Sequence, residues 1–467
     1  MLFSSLTFLW VFLPIVFFGY RLLKEEYRNV FLLLASLVFY AWGEPVYIFL
    51  MLLSVGINYV LGLIVADTPY KRSGLIACVA VNLALLGFFK YYNFAAEIVN
   101  NIAAGEVLPI RHIVLPIGIS FYTFQILSYV IDVYRGDAKV QHSFTRLALY
   151  VSLFPQLIAG PIVKYHDVDE QIEQRTISEK KTASGIARFA CGLGKKVIIS
   201  NTMAEIVDTV FALPTNQLST GLAWIGAVFY ALQIYYDFSG YSDMAIGLGR
   251  MFGFEFLENF NIPYISQSIQ EFWRRWHISL STWFKQYLYI PLGGNRKGRI
   301  RTYVNLCIVF FATGLWHGAS YTFILWGMFH GFFQVMERLF LGKWLKKNPI
   351  KLINHVYTLL VVLIGWVFFR AETLAYAFDY LQVMFTMQKS TIWSCMELVD
   401  RKAIIIAAAG LLLCGPIQKT PIFVWLKTKK DTHVGFAAVG ISVVLIMVYS
   451  ILSLVSGAYN PFIYFRF

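Results

Sequence analysis

Charge is what this sequence has least of. Asp, Glu, Lys and Arg make up 14% of its 467 residues, where a soluble domain carries roughly 25%. That shortage excludes an ordinary soluble domain, and with 58% hydrophobic and 17% aromatic residues it points to a polytopic integral membrane protein. Cysteine is scarce as well: Cys78, Cys191, Cys307, Cys395 and Cys414 stand apart, with no C-x-x-C pair among them. Neither a disulfide framework nor a zinc site follows from that spacing. Low-complexity tracts, repeats of 20–50 residues and long linkers are missing, so residues 1–467 read as one domain. Several chemical signatures are missing too. Without a G-x-x-x-x-G-K-[ST] segment the chain lacks the phosphate loop of an ATP-driven pump. GLGRMFG at 247–253 is one residue too long for a dinucleotide fingerprint, and GYSDM at 240–244 has Met244 where a nucleophile elbow needs Gly. There is no H-E-x-x-H. The residues therefore indicate no serine nucleophile, no metal cluster and no bound cofactor.

What is present is a succession of apolar stretches near 3–20, 30–42, 46–66, 74–90, 112–131, 146–163, 186–212, 221–238, 303–318, 320–340, 353–369, 403–416 and 434–456. A crossing takes about 20 such residues, and some of these are too short. With no period-2 barrel pattern, the expectation is an all-α fold of about eleven transmembrane helices, plus re-entrant and amphipathic interfacial helices. The N-terminal MLFSSLTFLWVFLPIVFFGYRLL has no basic residue before its apolar core and no small-residue cleavage site after it, so it reads as a retained span.

The net charge is +13. It concentrates in short loops, Arg296–Arg301, Lys343–Lys351 and Lys419–Lys430, so it reads as topology and not as a nucleic-acid surface. The positive-inside rule assigns these loops to the cytoplasm. Residues 303–340 then form one hairpin, bent near Gly318-Ala319-Ser320, and 353–416 another. The mixed-sign stretch Lys164–Thr182 reads as a solvated connector.

From about 112 to 333 the apolar stretches hold unusual numbers of Gly, Pro, Asp, His, Tyr and Gln. Polar residues within spans face a bundle interior or a wet cavity. This region therefore reads as a lined core, with 1–111 and 334–467 as peripheral spans. Four constellations stand out. LPIGISFYTFQILSYVIDVYRG (115–136) carries Gln125 and Asp132. FPQLIAGPI (154–162) has the Pro and Gly to break a helix. YYDFSGYSDMAIGLG (235–249) carries Asp237, Ser239, Ser242 and Asp243. In the fourth, EFWRRWHISLSTWFKQYLYIPLGGNRKG (271–298), apolar residues from Ile265 to Tyr287 recur in steps of 3 and 4, which predicts an amphipathic interfacial helix. Trp273 and Trp276 lie on its apolar face and His277 at the edge.

The run from Thr302 to Met336 contains no Asp, Glu, Lys or Arg but two histidines, His317 and His330. A packing role suffices for His330, between Gly327 and Gly331. His317, between Trp316 and Gly318 at the proposed bend, is the stronger candidate for chemistry. Imidazole, with an ordinary pKa near 6.5, can take a proton from a hydroxyl at neutral pH. Asp132, Asp237 and Asp243 fit orienting roles or pairing with Arg135 and Arg250, and their spacing does not choose between these.

Together, LPIGISFYTFQILSYVIDVYRG, YYDFSGYSDMAIG, FWRRWHISLSTWFKQYLYIPLGGNRKG and GLWHGASYTFILWG resemble the membrane-bound O-acyltransferase family, in particular its alginate O-acetylation branch. The resemblance runs from the N-terminus through FFRAETL at 368–374. It implies a ring of tilted helices around a central channel, in the bacterial cytoplasmic membrane. It implies His317 as the signature catalytic histidine and His277 as the second family position, with Trp316, Gln125, Asp132, Asp237, Ser239, Trp273 and Trp276 as channel-lining candidates. It implies an acyl thioester donor, acetyl-CoA or an acylated carrier. The partners it implies are an SGNH-hydrolase-like protein outside the membrane and a polysaccharide acceptor. The D-alanyl branch acting on teichoic acids is the nearest competitor, and a solute transporter with broken helices is the rival of a different class.

Overall fold

The computed structural model describes residues 1–467 except 159, 391–393, 416, 418–419, 422–423, 426–427, 429–431, 458, 462 and 464–467. Much of the basic stretch Lys419–Lys430 thus lies outside the described residues. Every secondary-structure element among the described residues is helical. Among the described residues four helices are long and apolar enough to cross a membrane: Tyr47–Asp67, Lys71–Ala103, Lys351–Arg370 and His433–Val455. The expected count of about eleven is not reached by that measure. The 32-residue helix Thr220–Met251 is long enough, but its polar side chains keep it out of the four. Contacts gather into two compact units, one of residues 1–189 and 244–257, the other of residues 190–243 and 258–467.

In the first unit, Phe3, Phe8, Phe12, Phe39 and Phe154 form an aromatic core with ring centroids 5.0–6.3 Å apart. Tyr47–Asp67 and Lys71–Leu86 are tied by a buried amide pair, Asn82 Nδ2 donating to Asn58 Oδ1 at 2.7 Å, the kind of polar link that holds apolar helices together where burial alone gives little direction. The helix Ile119–Arg135 is buried on all sides from Ile119 to Val130. It begins at Gly118, whose φ of +77° and whose would-be Cβ, 2.9 Å from the Leu157 carbonyl, exclude a side chain.

The expected span 146–163 is broken. A helix Phe144–Ser152 gives way to one turn, Phe154–Leu157, and then to irregular chain. Pro155 lacks the N–H that would continue the ladder from Phe144–Ser152 and sits in the first turn of Phe154–Leu157, where that loss is tolerated, while Pro161 biases Gly160 away from helix. The backbone groups this exposes are met by side chains: Tyr150 Oη donates to Val163 O at 2.9 Å, and Gln156 Nε2 to Tyr150 O at 2.6 Å. The Lys164–Thr182 connector is less solvated than its composition suggests, since Lys164, Tyr165, Val168, Ile172 and Thr182 are all buried.

In the second unit, Arg299–His317 and Tyr321–Met336 form a tight helical hairpin. Its helices approach through glycine: a Cβ on Gly327 would stand 2.3 Å from Phe310 O, and one on Gly314 2.4 Å from Phe323 O. The expected second hairpin over 353–416 is instead a series of separate helices, Lys351–Arg370, Leu374–Phe385, Cys395–Leu398 and Arg401–Leu413.

The predicted amphipathic helix over 265–287 is also corrected. It is two short helices, Ile269–Arg275 and Ile278–Phe284, broken at His277, which has φ 44° and ψ 56°. The apolar positions keep a 3–4 spacing across the two-residue break at Trp276 and His277, so periodicity could not reveal it. The two-sided character holds across the break: Ile269, Phe272, Trp273, Trp276, Leu280, Trp283 and Phe284 are all buried, whereas Arg274 and Lys285 are exposed. Glu337 caps the first helix from the hairpin, accepting from Ile269 N at 2.6 Å and Gln270 N at 2.9 Å.

A histidine in an aromatic box beside a basic cavity

His317 is the last residue of its helix. Gly318 follows in extended conformation, with no room for a side chain against the Phe323 ring. The imidazole is 7% exposed. It meets Trp316, Trp326 and Phe369 edge to face at centroid distances of 4.9, 5.0 and 5.0 Å. These rings and Ile234, Phe238, Trp276, Trp366 and Ile463 surround it, and all of the set except Trp316 line a cavity of about 10 Å³ that His317 shares. That is near the lower limit for one water molecule. A proton taken up here makes an imidazolium facing aromatic rings, whose quadrupoles attract cations.

Trp276, named from the sequence, shares this cavity with His317. Trp316 stands between the two family-position histidines, 5.8 Å from the His277 ring. His277 is fully buried behind Phe238, at 4.6 Å. It does not line the cavity. Its left-handed backbone is held by Asn259, which the sequence reading missed: Asn259 Oδ1 lies 3.2 Å from His277 Nδ1 and accepts from Ser279 N at 3.1 Å, while Asn259 O accepts from Ile278 N at 2.9 Å. His330 is buried among Phe272, Trp273 and Trp326 and borders neither cavity described here.

Trp273 lines a second, much larger cavity of about 800 Å³ in the same unit, together with Arg274, Lys285, Arg296, Lys297 and Arg338. Five cations in one lining suit a multiply charged anion. Trp273 packs against Trp326 at 5.7 Å, and Trp326 borders the His317 cavity, so an indole pair joins the linings of the two spaces.

The aspartates take pairing roles, and with partners other than Arg250. Asp237 pairs with Lys196 at 2.5 Å and Asp243 with Lys195 at 2.6 Å, whereas Arg250 pairs with Glu255. Ser239 is buried in the second unit and lines neither cavity. Gln125 and Asp132 belong to the first unit. There Gln125 is fully buried and Asp132 Oδ2 bonds His166 Nδ1 at 2.7 Å. His166 Nε2 is 3.1 Å from Lys164 Nζ and 3.3 Å from Asp167 Oδ1. The hydrogen bond to Asp132 outweighs partial burial and raises the His166 pKa above its ordinary value. Sequence reading missed His166 because its partner is 34 residues away. Trp326, Trp366, Phe369 and Phe238 were missed because aromatics in apolar helices look like packing. Among the described residues no three His, Cys, Asp or Glu side chains form a metal-binding group, and none of the five cysteines is in a disulfide.

Comparison with known proteins places the chain in a family. Residues 137–378 match the family model for the membrane-bound O-acyltransferase family, the stretch that holds both histidine positions and both cavities' principal walls. The chain is 43% identical to the probable alginate O-acetylase AlgI of Pseudomonas putida over the full length of both proteins. It is 48% identical to the protein of the same name from Pseudomonas aeruginosa over 85% of this chain and 77% of that one. It is 38% identical to the peptidoglycan O-acetyltransferase of Helicobacter pylori over 82% of this chain and 80% of that one. With matches of this extent the carrier reading gives way: the chain belongs to the membrane-bound O-acyltransferase family and is an acyltransferase.

Proposed function

We propose that this enzyme transfers an acetyl group from a cytoplasmic thioester, entering by the basic cavity, to a hydroxyl presented at His317. The product pathway is O-acetylation of an exported polysaccharide, alginate or a related polymer. His317 takes the proton of the acceptor hydroxyl, whose oxygen attacks the thioester carbonyl. The C–S bond breaks, the proton passes to the leaving thiolate, and ester and thiol result. The observation that carries this reading is the joining of the two cavities' linings by the Trp273–Trp326 pair. One is basic and wide enough for a phosphate-bearing donor, the other nearly dry and centred on an imidazole. Exclusion of water favours the acceptor over hydrolysis. The names of the relatives, acetylases of alginate and peptidoglycan, favour acetyl over D-alanyl transfer. The donor, acetyl-CoA or an acylated carrier, is of the class that the basic lining suits. The family resemblance supports an SGNH-hydrolase-like protein as the next carrier, and the bacterial cytoplasmic membrane as the location.

The test is polymer acetyl ester formed in cells expressing His317→Asn at wild-type amounts of folded, membrane-extracted protein. Asn keeps hydrogen-bonding capacity but cannot take the proton, and a loss of ~10²–10⁴-fold is expected. Wild-type ester content would overturn the assignment.

A further inference from the structure

Asp237 and Lys196 are 1% and 2% exposed, and their ion pair, Oδ1 to Nζ at 2.5 Å, faces neither cavity. Burying two charges is costly unless further hydrogen bonds satisfy both. Here those bonds come from a stretch more than 200 residues away in sequence. Lys196 Nζ donates to the Pro461 carbonyl, and Ile463 N donates to Asp237 Oδ2 at 3.0 Å. A second clasp holds the residues just before: Tyr459 Oη donates to Asp208 Oδ2 at 2.6 Å, and Asp208 Oδ1 accepts from Arg370 Nη2 at 2.7 Å. Asn201 Nδ2 adds a bond to Asn460 Oδ1 at 3.2 Å. Each clasp is next in sequence to a cavity wall, Asp237 to Phe238 and Arg370 to Phe369. Ile463, 5% exposed, is itself a wall of the His317 cavity.

We propose that Asp237 and Lys196 are positioning residues whose buried ion pair holds the Pro461 carbonyl and the Ile463 N–H and so seats Ile463 as a wall of the His317 cavity, and that acyl transfer requires this wall. The inference rests on the reading of that cavity as the transfer site. With Ile463 in place the space has room for about one water. With it displaced the cavity opens, the imidazole and the acceptor hydroxyl lose their fixed approach, and water competes for the thioester.

The experiment uses the full chain in its native membrane. The double variant K196M/D237L removes both charges and leaves no unpaired buried ion, while Ile463→Gly removes the wall without touching the pair. Each is compared with wild type for polymer acetyl ester at matched folded protein. Alongside, the rate at which a small methanethiosulfonate modifies Ile234→Cys, a cavity-wall position, is measured with Cys191, Cys307 and Cys395 replaced by Ser. Both variants are expected to lose about 10- to 100-fold in ester formation, the cost of a misplaced approach, and both should speed modification of position 234. The charge-reversed pair K196D/D237K keeps an ion pair but sets a carboxylate against the Pro461 carbonyl and an ammonium against the Ile463 N–H, so it should recover none of the loss, and wild-type ester formation in it would count against the seat. Wild-type ester formation and an unchanged labelling rate in Ile463→Gly would overturn the proposal, even if K196M/D237L failed to fold. His317→Asn is run in parallel. If it stays active, the reading of the cavity has failed; if it is inactive while Ile463→Gly is active, only the wall has failed.

Discussion

Asn259 Oδ1 lies 3.2 Å from His277 Nδ1, and this one amide templates the left-handed residue between the two short helices. His and Asn tolerate that backbone region better than branched residues do. His277→Asn should therefore keep folded yield, and its transfer activity should fall less than that of His317→Asn, because His277 does not line the cavity and packs behind Phe238, which does. His277→Val should lose roughly 1–3 kcal/mol of stability. Thermal unfolding in detergent, paired with ester content, separates the two effects. An equal loss of activity in His277→Asn and His317→Asn would assign His277 a direct role.

The hairpin makes a steric prediction. Gly327→Ala puts a methyl 2.3 Å from the Phe310 carbonyl, a backbone atom that cannot swing aside, so the helices must part. A loss of ~1–3 kcal/mol is expected, as for overpacking. Gly56, in the helix Tyr47–Asp67, has open space where its Cβ would go, and Gly56→Ala should be neutral or slightly stabilising. Equal melting temperatures for the two variants would contradict the close approach.

The basic cavity predicts a binding effect distinct from the catalytic one. Arg274→Ala combined with Lys297→Ala removes two of its five cations. With the donor supplied as acetyl-CoA to isolated membranes, KM for donor should rise while kcat changes little, the signature of lost ground-state binding. The wild-type advantage should shrink with added salt. A fall in kcat at unchanged KM would move the cavity's role away from the donor.

A pH effect follows from the first unit. The His166 pKa is raised chiefly by its hydrogen bond to Asp132. A group whose folded pKa lies above its unfolded value, here near 6.5, stabilises fully below that unfolded value and less as pH climbs through the folded one. Wild type should thus exceed His166→Gln in melting temperature most at mildly acid pH, and the gap should narrow on the alkaline side. A constant gap between pH 5 and 9 would remove the ion pair as its cause.

The sequence by itself determined the all-helical class and the membrane setting, because these rest on composition, and it singled out His317 as a candidate from a charge-free run whose other histidine, His330, lies between two glycines. It determined the hairpin bend as well, since Gly318 and its small neighbours are local signals. Tertiary structure decided the rest. The break at His277 depends on Asn259, 18 residues earlier in the chain, and a 3–4 apolar period passes through it unchanged. Asp237 could be read equally as a channel group or as a charge partner until Lys196 and Ile463 took its two oxygens. The cavity around His317 joins residues from Ile234 to Ile463, and hydrophobic side chains carry no mark of which partner they will meet. Burial favours apolar residues of any identity, so composition can announce a core. Only the packing of distant helices selects which of those residues become a wall around an imidazole.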